Sequence, residues 1–566
     1  QRDGRPEEQE RRPFERPRGA AGALIELDRD LMKLLVRRAT LVSRIRGGRD
    51  HAASPAAIQD EKAVRIAWET GALAFSKDPR FSRELFALLQ DLKVLSREQA
   101  QNMGSFHLSP PQKPVSGLIA GPTSTRSAQM YVALASALNR DMRLTRVMLS
   151  SALMDTVKSF AQAGSDVGHR IGGANIGSVS VSRGKEASFT DKNIYVGEDL
   201  FSLYLCVFFS LSRPGSCRLS GGGPLRGADL TALRQALPLF GARLAHVVPH
   251  THGLPANLEC SGQIPSLVVV PPDLPFDGLC ALLLAPLFWN QPMTLDLGAL
   301  PAAYATAALA EVGPLHTALG ADVESHGPRF VYAPTPLHLP EEPLLPLDPA
   351  LCAYLLALPA FTGGVLGLRG HWPAHLPEAR ETADLLNWAG IGLEINEEGV
   401  RAAPARAPFA LPLQSNNLAP ALGPLFLALC ALYRHRADEI PPLERLASFP
   451  GSDTDSALAG DFFSRLGLTL DKGRLEPSFG QGDPQSPAWT SPDAFWSMAY
   501  ALAAFVRPGL ALANPGNVSP VLPPFWSIYN SLPEPRDPAS PLDSGREGQV
   551  EESAGDKPAR RRIIAD

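Results

Sequence analysis

Residues 348–364 read DPALCAYLLALPAFTGG. The stretch is apolar, built largely from small and aliphatic residues, and reads as a buried helix. The same kind of segment recurs five more times: AQMYVALASALNR, SLYLCVFFSLSRPG, GLCALLLAPLFWNQ, PLFLALCALYRHR and FWSMAYALAAFVRPG. The six copies begin near 128, 202, 278, 350, 424 and 495, about 70–77 residues apart. Self-similarity at a fixed period is the mark of a repeat architecture.

Between these segments a second piece recurs, an amphipathic helix closed by glycine and followed by an alternating strand. Its copies are SFAQAGSDV (Gly164), ALPLFGARLAHV (Gly241), HTALGADVE (Gly320), LLNWAGIGLEI (Gly390) and FSRLGLTLD (Gly467). Glycine suits the left-handed position just past a helix, and period-two alternation marks a strand with one buried face. The pattern predicts an α/β body over 113–532 made of six units, each with one helix buried and one outside. The proline-rich PTPLHLPEEPLLPLD, about 334–348, divides the units three and three as a hinge would.

Outward from the body the pattern changes. Residues 20–102 carry only helical periodicity, with Leu24, Leu27, Leu31, Leu34, Leu35, Leu41 and Ile45 on one face and Gly47-Gly48 as a stop. Two further amphipathic helices follow, so a small bundle or half of a dimeric one is expected. Residues 103–112 read as a linker. Residues 1–19 and 533–566 are polar, proline- or charge-rich tails, for which disorder is the expectation.

Composition narrows the function. The 566 residues carry 53 Lys+Arg against 58 Asp+Glu, a net charge of −5, with 45% hydrophobic residues. That supports a large core and argues against a nucleic-acid or membrane-surface binder. No apolar run reaches the ~18–20 residues that span a bilayer, and residues 1–19 have no secretory apolar segment. The six cysteines are scattered without a C-x-x-C pair. A cytoplasmic protein with reduced thiols is expected. His246, His250 and His252 have metal-like spacing, but nothing nearby completes a set, so neither a metal nor a cofactor is expected. Asp453 and Asp455 read as helix caps, SGGGPLRG (220–227) as a tight connection, and Trp388 and Trp496 as core.

Six α/β repeats in two lobes resemble the enolpyruvyl transferases, and EPSP synthases in particular. DPALCAYLLALPAFTGG is similar to the family's D-A-S-S-A-x-Y-F-L-A-A-A-A-x-x-G-G. LTRVMLSSALMDTVKSFAQAGSDV (144–167) and NPGNVSPVLPPFW (514–526) resemble two further family segments. The resemblance implies a two-lobed six-repeat inverse α/β barrel. Its implied activity joins shikimate 3-phosphate and phosphoenolpyruvate, both strongly anionic, and so needs cations, a proton donor and a base. LIELDRDLMKLLVRRATLVSRI (24–45) resembles the all-helical chorismate mutases, which act on chorismate.

Carried over residue by residue, the transferase motifs are largely stripped of charge. The first loop falls on GPTSTRSA, where Gly121 and Ser124 match, Thr123 replaces Lys and Ala128 replaces Arg; Arg126 lies within the same stretch. The N-A-G-T loop becomes EDLF (198–201), and a following Arg becomes Tyr204. Arg226 lies near the central arginine-bearing loop. The catalytic Asp falls on Pro420, the K-E-x-D-R motif becomes GSDTDS (451–456), D-H-R becomes Asp493-Ala494-Phe495, and the last Lys becomes Pro520. Ser124, Arg126 and Arg226 are therefore the substrate-binding candidates.

A charge-assisted hydrogen bond contributes about 1.5–3 kcal/mol. Losing four of them removes on the order of four decades of affinity. The expectation is a retained fold with an erased transferase site, leaving a scaffold, regulatory or ligand-sensing role. The alternatives are an active divergent EPSP synthase or an active chorismate mutase. In the mutase-like bundle the resemblance carries cations onto Arg38 and Arg49 and a match onto Glu61. Lys93 and Arg97 stand where the family has Ser and Gln, while Ala21 and Asp60 replace family arginines. Other shikimate-pathway enzymes are expected partners, with a homodimer formed through the helical segment.

Overall fold

The computed structural model describes residues 106–533, apart from 173–175, 185, 249–250, 408–412, 414–417, 437–452, 472–473 and 479–487, together with scattered helical positions between Leu27 and Thr70. Ten of the described helices have eight or more residues. In chain order they are α1 (Thr125–Leu138), α2 (Ser151–Ala163), α3 (Leu200–Ser210), α4 (Phe276–Leu284) and α5 (Ala302–Leu319). The second half holds α6 (Pro349–Leu356), α7 (Pro377–Trp388), α8 (Gly423–Arg436), α9 (Asp453–Arg465) and α10 (Ala494–Ala503).

The six apolar segments are α1, α3, α4, α6, α8 and α10, and they form the core. Every residue from Phe201 to Phe209 in α3 is buried, as is every residue from Gly423 to Tyr433 in α8. Helices with polar residues all round the outside cannot occupy such positions, which is why these segments lack an amphipathic stripe. The second helix of a unit does carry a stripe. In α2, Leu153, Val157 and Phe160 face inward while Lys158 and Gln162 face out.

All five closing glycines adopt positive φ: Gly164 at 105°, Gly241 at 68°, Gly320 at 66°, Gly390 at 81° and Gly467 at 71°. Each is followed by a strand, respectively Asp166–Ile171, Ala242–His246, Asp322–His326, Ile391–Asn396 and Leu468–Asp471. Each strand turns back as an antiparallel hairpin with the next one. An L side chain at such a φ costs about 1–2 kcal/mol, so the sequence signal has a direct conformational cause. After α10 the pattern stops: Ala511–Leu512 pairs instead with Phe106–His107.

That pairing corrects the expected linker at 103–112. Phe106–His107 is a strand and Leu108 is buried, so the ordered body begins before 113. The chain also crosses between halves twice, not once. Val115–Ala120 pairs in parallel with Gly364–Arg369, a strand of the second half. Gly364 makes this possible: at φ 86°, a Cβ there would lie 2.0 Å from the Val115 carbonyl oxygen. The chain then passes into the first half at 121–124 and returns at 345–348. The two passes are hydrogen-bonded together, Ser124 N to Pro346 O at 2.8 Å and Asp348 N to Pro122 O at 2.9 Å.

Two hydrophobic cores result. One draws on residues between Ala128 and Leu345. The other draws on Leu347 to Leu532 together with Leu108, Val115 and Met148. Trp388 packs on Phe426 with ring centroids 5.2 Å apart, and Trp496 joins an aromatic cluster around Phe462. The six cysteines are free thiols. Among the described residues, no helix is long and apolar enough to cross a membrane.

Candidate functional site

Between the two cores lies a cavity of about 490 Å³. It is lined by the N-terminal ends of seven helices: Ser124–Arg126 at α1, Ser150 at α2, Asp199 at α3, Phe276 and Asp277 at α4, Asp348 at α6, Pro377 and Glu378 at α7, and Phe495 at α10. Glu311, from within α5, completes the wall. A helix N-terminus carries roughly half a positive charge and free N–H groups. Seven together make a strong trap for negative charge.

The protein's own side chains fill much of that role. Asp199 accepts from Ser202 N at 2.7 Å and from Gln129 Nε2 at 2.8 Å. Asp348 accepts from Leu351 N at 2.9 Å, and Asp493 accepts from Trp496 N at 3.0 Å. The hydroxyls of Ser124 and Ser150 cap α1 and α2 and lie on the cavity.

Among the described residues lining the cavity Arg126 is the cation, and it is already engaged. Its Nη1 lies 2.7 Å from Asp277 Oδ1 and its Nε 3.7 Å from Glu311. Its guanidinium stands over the rings of Phe201, at 4.7 Å, and Phe276, at 5.5 Å. Burial works to lower its pKa, but the neighbouring acids, Asp277 foremost, outweigh that and raise it. Against this one cation stand Asp199, Asp277, Glu311, Asp348 and Glu378.

Burial raises the pKa of Glu311 and of Asp348 against the opposing pull of Arg126 and, for Asp348, of backbone N–H groups. Glu378 reaches the cavity surface, yet the surrounding wall, then Asp348 and Glu311, push it up to about 7.

Of the residues singled out from sequence, Ser124 and Arg126 meet in this cavity. Arg226 is not part of its lining; its Nε donates to the Gly221 carbonyl at 3.0 Å. The positions that replace transferase motif residues gather around the same space: Asp199 and Phe201 of EDLF, Phe495, Ala421 beside Pro420, and Val521 beside Pro520. Thr123 instead ties the crossing to the first lobe, accepting from Met148 N at 3.1 Å. Ala128 and Tyr204 are core residues.

Arg38 lies 5.8 Å from the Trp68 ring. Arg49, Glu61, Lys93 and Arg97 lie outside the described residues, as does His250. His246 donates through Nδ1 to the Gly253 carbonyl, and among the described residues no cluster of metal-ligating spacing forms. The acids Asp277, Glu311, Asp348 and Glu378 were not singled out from sequence. The available signal was an acid just before or within the first turn of an apolar helix, in PFDGLC and LDPALC.

Two lobes of repeated α/β units around a cavity of helix N-termini form a fold that is shared with solved enolpyruvyl transferases. The chain superposes on EPSP synthase from Acinetobacter baumannii with a TM-score of 0.57 at 15% identity, covering 76% of this chain and 98% of that one. It superposes on the enolpyruvyl transferase NikO from Streptomyces tendae with a TM-score of 0.50 at 17% identity, covering 76% and 96%. In sequence it is 24% identical over 332 residues to a 3-phosphoshikimate 1-carboxyvinyltransferase of Cupriavidus taiwanensis, spanning 56% of this chain and 74% of that protein. No family profile matches the chain.

Proposed function

We propose that the body descends from the shikimate-pathway enolpyruvyl transferases and no longer transfers the carboxyvinyl group from phosphoenolpyruvate to shikimate 3-phosphate. It serves instead as a scaffold, regulatory or ligand-sensing module in the cytoplasm. The charge of the cavity supports this reading: among the described residues that line it, one arginine, already paired, faces five carboxylates. Two unit charges of like sign 4 Å apart repel by about 4 kcal/mol at the effective dielectric of a protein surface. A doubly anionic phosphate entering here meets several such contacts. It also finds the α3 and α6 N-termini occupied by Asp199 and Asp348. Phosphate release from the two substrates, followed with the full chain, is expected to stay at background. Micromolar binding of the pair by calorimetry would overturn the reading.

Residues 20–102 are assigned to a chorismate-mutase-like helical segment. Among its described positions, Arg38 lies 5.8 Å from the Trp68 ring, a contact between two separate stretches of the segment that is in keeping with this assignment. Chorismate loss followed by absorbance tests it: turnover that survives Arg38→Ala removes Arg38 from the site.

A further inference from the structure

We infer that the interlobe cavity binds an organic cation, an ammonium or guanidinium group on an apolar body, with Glu311 and Glu378 as its counter-ions. The inference rests on the reading above, that the cavity has ceased to hold anions, and adds what it holds instead. Among the described residues no group donates a hydrogen bond to Glu311, whose nearest positive atom is Arg126 Nε at 3.7 Å. Its side chain is only 17% exposed, and it lies on the cavity wall. Glu378 has neither a hydrogen bond nor an ion pair among the described residues, and it faces the same space from the other lobe. Glu311, largely shielded from water and without a hydrogen-bond donor among the described residues, is costly there, and a cation entering the cavity removes that penalty while Glu378, open to solvent on the opposite wall, adds a second negative charge.

The walls suit the rest of such a ligand. Phe201, Phe276 and Phe495 line the cavity, and aromatic faces attract cations. Arg126 shows the chemistry at work, its guanidinium held by Phe201 and Phe276 on one side and by acids on the other. The volume of about 490 Å³ lies within the ordinary range for small-molecule pockets, about 300–1,000 Å³. Among the described residues the acids do not converge as metal ligands do, which favours an organic ion over a metal ion.

The charged groups facing Glu378 are Asp348 at α6, Glu311 on α5, Arg126 on α1 and Glu381 on its own helix. Cation binding favours the ionised carboxylate. Affinity is therefore full above about pH 7 and falls as the pH drops through it, while an alkylamine stays protonated throughout.

Calorimetry on the full chain tests this with benzylamine, its neutral analogue benzyl alcohol, and benzoate. Benzylamine is expected to saturate with a Kd of about 1 mM or tighter, and the other two to give no binding. Glu311→Gln and Glu378→Gln should each weaken benzylamine about tenfold or more, with circular dichroism confirming that each variant folds. Should a variant fail to fold, the wild-type affinity must still drop on acidification through about pH 7.

No saturation by benzylamine, equal affinity in both variants, benzoate competition or a flat pH profile would each overturn the inference. Phosphoenolpyruvate with shikimate 3-phosphate is titrated in parallel. If that pair binds, the loss-of-transferase reading falls. If neither the pair nor benzylamine binds, only the cation assignment falls.

Discussion

The glycine-closed end of a repeat unit and its cavity end are built under different constraints. At the closed end, five units place the same residue, glycine, in the same left-handed conformation before a strand. At the cavity end the units diverge: Ser124, Ser150, Asp199 and Asp348 cap four helices, and Glu378 lies in the first turn of α7. Backbone geometry at the closed end admits one residue type at little strain. A helix N-terminus asks only for a hydrogen-bond acceptor or negative charge, whether from a side chain or from a ligand's phosphate. The cavity can thus exchange ligand anions for its own carboxylates while the folded body persists.

The contrast breaks most visibly near Gly164. Phe160, one turn before it, is fully buried and packs edge-on against Phe189 and Phe209, with centroids 5.5 and 5.4 Å away. Phe160→Ala is expected to lose about 3–5 kcal/mol of stability by chemical denaturation. A loss below about 1 kcal/mol would deny that this end is a packing determinant.

Next in size, Gly164→Ala should cost about 1–2 kcal/mol through its positive φ, read as a lowered melting temperature. An unchanged melt would mean the unit closes without the left-handed residue.

At the cavity end, Asp199→Ala removes the α3 cap and is expected to cost about 0.5–2 kcal/mol. The comparison sharpens if this loss is smaller than that of Phe160→Ala, and fails if it is larger.

The smallest effect concerns protonation. Glu378 binds its proton more tightly when folded, since its pKa rises to about 7 from an ordinary carboxylate value. Its contribution to stability is therefore full at acidic pH and is lost as pH rises through about 7. Burial raises Glu311 and Asp348 in the same direction. Melting temperature should decline from acidic pH toward about 7, and Glu378→Gln should flatten part of that decline. A slope identical to wild type would show that Glu378 is free of its neighbours.

The repeat was legible because its two signals are local. An uninterrupted apolar run such as LYLCVFF can only be core, and a glycine after an amphipathic helix announces its own φ. The strand Val115–Ala120 was missed because its partner lies some 250 residues away and its approach depends on Gly364, which a local pattern does not connect to it. Ser124 and Arg126, which line the cavity, were singled out through the loop they share. The acids facing Arg126 were not, because Asp277, Glu311, Asp348 and Glu378 are far apart in the chain and each alone resembles a cap or a solvated residue. Arg226, made a candidate by its place near the family's central arginine-bearing loop, is turned to the Gly221 carbonyl.

The double crossing at 121–124 and 345–348 makes the second lobe a host and the first lobe a guest inserted into it. A ribosome delivers the host's opening strand, Val115–Ala120, long before its parallel mate Gly364–Arg369 emerges. The guest has all of its core residues between Ala128 and Leu345 and can complete itself first. Until then the early host strand waits with an open edge. Cutting the gene at the proline-rich hinge would therefore leave two host strands, Phe106–His107 and Val115–Ala120, on the guest's fragment, and a clean second lobe requires residues 106–120 spliced directly to 345–533.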